Sequence, residues 1–79
     1  MQVQARLFAT LRNHLPEDAT DHTTQVELPE GATVEDLLEK LELPKDEVRV
    51  TMVNGRARPR EWELEPDDEV GIFPAVGGG

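Results

Sequence analysis

The sequence predicts an α+β fold in one domain: a mixed sheet of four to five strands covered by one main helix. Three observations predict it. Apolar residues alternate with polar ones near both ends of the chain and again in its middle, the period of half-buried strands. One stretch only, residues 33 to 41, carries helical spacing behind a capping residue. The 79 residues suffice for a single modest core, and no linker or internal repeat divides them.

Val3, Ala5 and Leu7 alternate with Gln4, Arg6 and Phe8, which makes the first strand. Thr10 to Leu15 accommodates a helical turn ahead of Pro16, and Glu17 to His22 is a polar surface loop. The second strand runs from Thr24 to Leu28 with Val26 and Leu28 on one face, and Pro29-Glu30-Gly31 turns the chain. Thr33 is an N-cap with Asp36 three residues on, a variant of the capping box. Glu35 and Asp36 complement the positive end of the helix and Lys40 the negative end. Val34, Leu37, Leu38 and Leu41 form one apolar stripe that packs as core. Leu43-Pro44 closes the helix, because the residue before proline avoids helical angles.

Val48, Val50 and Met52 alternate as a third strand, and Asn54-Gly55 is a tight turn because both residues tolerate positive φ. Arg56 to Arg58 makes a short fourth strand that Pro59 confines to the sheet edge. Glu65-Pro66-Asp67-Asp68 is an acidic turn after Trp62 and Leu64. Val70, Ile72 and Phe73 then form the last strand, which Pro74 stops. A right-handed crossover lets the first and last strands lie parallel at the centre of the sheet, giving a β-grasp roll. The domain takes residues 1 to 74, and residues 75 to 79 are a flexible glycine tail.

Composition narrows the function. The absence of cysteine excludes disulfides, thiolate metal sites and a cysteine nucleophile. His14 and His22 lie in polar surroundings and form no ligand cluster, so no metal is expected. No apolar run approaches the ~20 residues of a membrane span. Met1-Gln2-Val3-Gln4 lacks the basic and apolar regions of a signal peptide, and a cytoplasmic location is expected. A net charge of −9 repels phosphate backbones, so no nucleic acid is expected. The same charge attracts a basic partner, and the acidic stretch from Glu61 to Glu69 is one place for it to dock, or simply a solvated turn. No nucleophile–base pair supports an independent enzyme.

Gly77-Gly78-Gly79 gain nothing for a fold, since glycine has no side chain to pack and loses the most entropy on ordering. They have two chemical virtues. They enter a channel too narrow for a β-carbon, and a terminal carboxylate on Gly79 is sterically open. Extended, residues 74 to 79 reach roughly 20 Å, enough to carry that carboxylate into another protein's site. A frayed, inert end has the same composition.

The ending Asp68-Glu69-Val70-Gly71-Ile72-Phe73-Pro74-Ala75-Val76 with its glycines resembles the sulfur-carrier family of the MoaD/ThiS type. That family includes the small subunit of molybdopterin synthase, the thiamine-pathway carrier and archaeal ubiquitin-like modifiers. Arg6-Leu7-Phe8-Ala9 with Leu11-Arg12, Gly31-Ala32-Thr33-Val34 with Leu37-Leu38, and Val53-Asn54-Gly55 resemble its earlier motifs, so the likeness covers essentially the whole chain. Two departures stand out: Asp67 replaces a common glycine and implies the same turn under slight strain, and Gly77 replaces a small non-glycine residue and loosens the tail.

The resemblance implies a ubiquitin-like β-grasp fold and a non-catalytic carrier. A ubiquitin-activating-type partner enzyme would use ATP to adenylate the Gly79 carboxylate; the chain itself would bind no cofactor. A sulfur donor would convert the acyl-adenylate to a thiocarboxylate for molybdopterin synthesis, with the large synthase subunit as partner. Alternatively, a target lysine would take the activated carbonyl as an isopeptide. Gly77 and Gly78 would thread the partner's channel, with Phe73, Pro74 and Val76 as docking contacts at its base. For Phe73, core and interface both fit an apolar strand end. A noncovalent binding module with an inert tail is the reading of a different class.

Overall fold

The structure, a computed structural model, describes residues 1–15 and 22–75. Of the loop expected from Glu17 to His22, residues 17–21 lie outside them. Five strands form one sheet: β1 (Gln2–Leu7), β2 (Thr23–Glu27), β3 (Val48–Val53), β4 (Arg56–Ala57) and β5 (Glu69–Pro74). Their spatial order is β2-β1-β5-β3-β4. β1 and β5 are parallel at the centre, and the other neighbours are antiparallel. One helix, α1 (Val34–Lys40), packs against one face, and short 3-10 helices cover Ala9–His14 and Lys45–Glu47. This is the β-grasp arrangement, with the expected parallel centre.

The core lies between sheet and helix. Val3, Ala5 and Leu7 from β1, Val70 and Ile72 from β5, and Val34, Leu37 and Leu38 from α1 are all buried. The capping box forms with both halves present. The Asp36 N–H donates to Thr33 Oγ1 at 3.3 Å, and the Thr33 N–H donates to Asp36 Oδ2 at 2.9 Å. Lys45 ties the helix to the following segment through Glu35 at 2.7 Å and Glu39 at 3.2 Å. These carboxylates raise its pKa above the ordinary lysine value, the hydrogen bond to Glu35 most.

Two local features differ from the sequence expectation. The helix ends at Lys40, before Leu43-Pro44, and Glu42, just past its Leu41 cap, takes a φ of 56°. Leu43 N–H then reaches the Leu38 carbonyl and Glu42 N–H the Glu39 carbonyl, a Schellman turn that buries Leu43. In β3 the apolar alternation does not run through Val50. Val48, Thr51 and Val53 point into the core, while Val50 is 43% exposed. The cause is a bulge: Val48 pairs with Pro74 and Val50 with Phe73, so Arg49 is an extra residue that shifts the phase. The buried Thr51 hydroxyl donates to the Arg58 carbonyl at 2.8 Å. Among the described residues no helix is long and apolar enough to cross a membrane.

Candidate functional site

Strand β5 carries the residues that lead to the glycines, and both of its edges are paired. Its start is held by a compact polar network. Asp68, only 7% exposed, accepts Asn54 Nδ2 on Oδ1 at 2.9 Å and the Glu65 N–H on Oδ2 at 2.8 Å. Asn54 Oδ1 in turn accepts the Glu69 N–H at 3.0 Å. The turn before it passes through Asp67, whose φ of 67° is left-handed. That is the strained turn expected at Asp67. The Asp67 N–H donates to the Gln2 carbonyl at 2.7 Å, which locks the turn to the first strand. Asp68 is therefore withdrawn from the acidic stretch as a docking group, while Glu61, Glu63, Glu65, Asp67 and Glu69 remain exposed.

Alternation along β5 sends Val70 and Ile72 under the helix and Gly71 and Phe73 to the opposite, open face of the sheet. Parallel register sets Arg6 beside Gly71 and Leu7 beside Ile72; one step further, Phe8 meets Phe73. Their rings stack with centroids 4.1 Å apart and planes 8° from parallel. Gly71 makes room for this pair: a β-carbon there would lie 3.3 Å from the Phe73 ring and 3.4 Å from Phe8. The Arg6 guanidinium sits 5.5 Å from the Phe8 centroid. A shallow depression results, lined by Phe8, Met52, Gly71 and Phe73 and rimmed by Arg6 and Glu69.

Phe73 is thus half-buried on the open face and contributes to a surface rather than to the core. Pro74 is half-buried opposite Val48. The Ala75 N–H donates to the Glu47 carbonyl at 3.3 Å, so the chain leaves the sheet tethered to the end of Lys45–Glu47. Val76, Gly77, Gly78 and Gly79 lie outside the described residues.

Sequence reasoning named Phe73 and Pro74 and missed Phe8, Gly71 and Met52. The available signal for Phe8 was its outward phase immediately after β1, next to the buried Leu7; matching it to Phe73 required the parallel register. Among the described residues no three His, Asp or Glu side chains gather as metal ligands. Chemically, the arrangement offers a flat aromatic–aliphatic surface beside a well-anchored strand end. That suits binding another protein more than transforming a small molecule.

The ThiS family model matches residues 5–79. Among solved structures, SAMP1 from Haloferax volcanii is 27% identical, with both chains covered completely and a TM-score of 0.76. Molybdopterin converting factor, subunit 1, from Pyrococcus furiosus is 32% identical over 95% of this chain and 98% of that one, with a TM-score of 0.73. The Haloferax volcanii HVO 2177 protein is 27% identical over 100% of this chain and 87% of its own, with a TM-score of 0.78. No curated protein matches the chain by sequence.

Proposed function

The chain belongs to the ThiS family, and on that premise we propose that it is a ubiquitin-like sulfur carrier whose working group is the carboxylate of Gly79. A ubiquitin-activating-type partner enzyme adenylates that carboxylate with ATP. The carboxylate oxygen attacks the α-phosphorus and pyrophosphate leaves. Sulfide-level sulfur from a donor then attacks the carbonyl carbon, AMP leaves, and a thiocarboxylate remains. The thiocarboxylate supplies sulfur in molybdopterin synthesis, on the large subunit of the synthase. The carrier is a co-substrate and performs no catalysis of its own.

The observation that carries this reading is the placement of β5. It is paired on both sides at the centre of the sheet and ends in the Ala75–Glu47 tether, so the residues beyond it start from a rigid base. The Phe8–Phe73 surface lies at that base and is the docking face for the partner, with Pro74 and Val76 as contacts and Gly77 and Gly78 in its channel. The similarity to a molybdopterin converting factor subunit favours the sulfur route. A second reading, conjugation of Gly79 to lysines of target proteins, is favoured by the similarity to a structure named as a small archaeal modifier protein, 26% identical over 95% of this chain.

Deleting Gly78 and Gly79 tests both routes. The truncated chain is expected to keep its thermal midpoint, because glycine has no side chain to pack. It loses sulfur transfer and conjugation alike. A truncated chain that retained either activity would refute the role of the tail in it. Loss of both, with the fold intact, excludes the inert-tail module.

A further inference from the structure

The charge of this chain is unevenly placed. Half of its eight basic residues, Arg49, Arg56, Arg58 and Arg60, fall between Glu47 and Glu61, an interval without a single acidic residue. The fold gathers that interval at one edge of the sheet. β4 is only two residues long, and Arg58 continues it by donating its N–H to the Thr51 carbonyl at 2.9 Å. A groove along this edge is lined by Arg49, Val50, Ala57, Arg58, Pro59 and Arg60.

The four arginines do different work. Arg60 is structural: its Nη2 donates to the Lys45 and Val48 carbonyls at 2.7 and 2.9 Å. Arg58 lies over Trp62, its guanidinium 4.0 Å from the ring centroid. Arg49 and Arg56 are exposed, and no acidic side chain among the described residues pairs with them. The two large apolar side chains exposed among the described residues, Val50 and Trp62, both flank this edge.

We propose that this edge, with Arg49, Arg56 and Arg58 as its charges and Val50 and Trp62 as its apolar flanks, docks an extended acidic segment of a partner protein. The proposal stands apart from the carrier function; of its members, Val50 borders the open face, where it lies opposite Phe73. A charged edge also guards a sheet against pairing with other sheets. That purpose is served by either sign and by lysine, and it does not call for exposed apolar neighbours. Arginine's planar fork binds carboxylate in bidentate fashion. Pro59 withholds a backbone donor, so recognition runs through side chains rather than through an added strand. The alternative of a nucleic acid is disfavoured by the Trp62 face. Arg58 already covers that ring, which removes a platform for a base.

Trp62 is the chain's only tryptophan and reports on the site directly. Titrating the full chain with a capped hexaglutamate peptide at low salt should change Trp62 emission saturably, and added salt should weaken binding. Arg56→Glu should weaken it by about tenfold with no change in thermal midpoint, whereas Lys40→Glu, the same charge change on the helix, leaves it within about twofold. Equal losses in the two variants would reduce the effect to net charge and overturn the proposal. No binding of the peptide would overturn it too. So would tighter binding of a hexauridylate than of the peptide, or a self-association abolished by Arg56→Glu, each of which assigns the edge to another occupant.

Discussion

Replacing Asp68 with alanine tests whether the polar network at the head of β5 anchors the strand that leads to the tail. The carboxylate is buried and receives two donors, one from Asn54 and one from the Glu65 backbone. Hydrogen bonds to a charged acceptor contribute about 1.5–3 kcal/mol each, and the partly solvated Asn54 places its bond at the low end. The expected loss for Asp68→Ala is therefore about 3–4.5 kcal/mol. That is a large share of the ~4–12 kcal/mol typical of a chain this long. Asp68→Asn keeps the shape but turns one acceptor into a donor, which faces either the Glu65 N–H or the Asn54 amide. Only one of the two bonds survives, and the loss should be about half. Urea unfolding followed by far-ultraviolet circular dichroism measures both, with an unchanged slope showing that the unfolded state is comparable. A loss below about 1 kcal/mol for Asp68→Ala, or equal losses for the two variants, would refute the assignment.

Asp67→Gly should stabilise the domain by about 0.5–1 kcal/mol, since glycine adopts the φ of 67° without strain; a destabilised variant in the same urea assay would show that the aspartate is held by something other than its backbone. Thr33→Ala removes the capping box and should cost about 1 kcal/mol, read as a lower thermal midpoint. The raised pKa of Lys45 has a defined sign: its contribution is present below the unfolded lysine value and is lost as pH rises through the higher folded value. With no tyrosine or cysteine in the chain, the alkaline range is free of their titrations. The urea midpoint of the parent should fall across that range more steeply than that of Lys45→Met, and parallel curves would remove Glu35 and Glu39 as the cause.

The fold was legible wherever its signals are local. Val3, Ala5 and Leu7, or Thr33 with Asp36, declare their element within a few residues, because alternation and capping are short-range geometry. Glu42 was not legible as the helix stop, since glutamate is a poor indicator of left-handed backbone and Leu43-Pro44 offered a nearer explanation. The bulge at Arg49 was not legible either, because it exists only relative to β5. The candidate docking face was half visible. Phe73 carried a sequence signal, but Phe8 and Gly71 acquire meaning only when two strands at opposite ends of the chain come into parallel register. Gly77 to Gly79 lie outside the described residues, and their reading rests on chemistry rather than on packing.

The central claim concerns the carboxylate of Gly79, and intact-mass analysis of the protein isolated from its native cells tests it most directly. The account predicts a species heavier by the exchange of one oxygen for sulfur at the C-terminus. The second route predicts a Gly78-Gly79 remnant on lysines of other proteins. Only unmodified protein, in cells that are making the pathway's product, would contradict the carrier account.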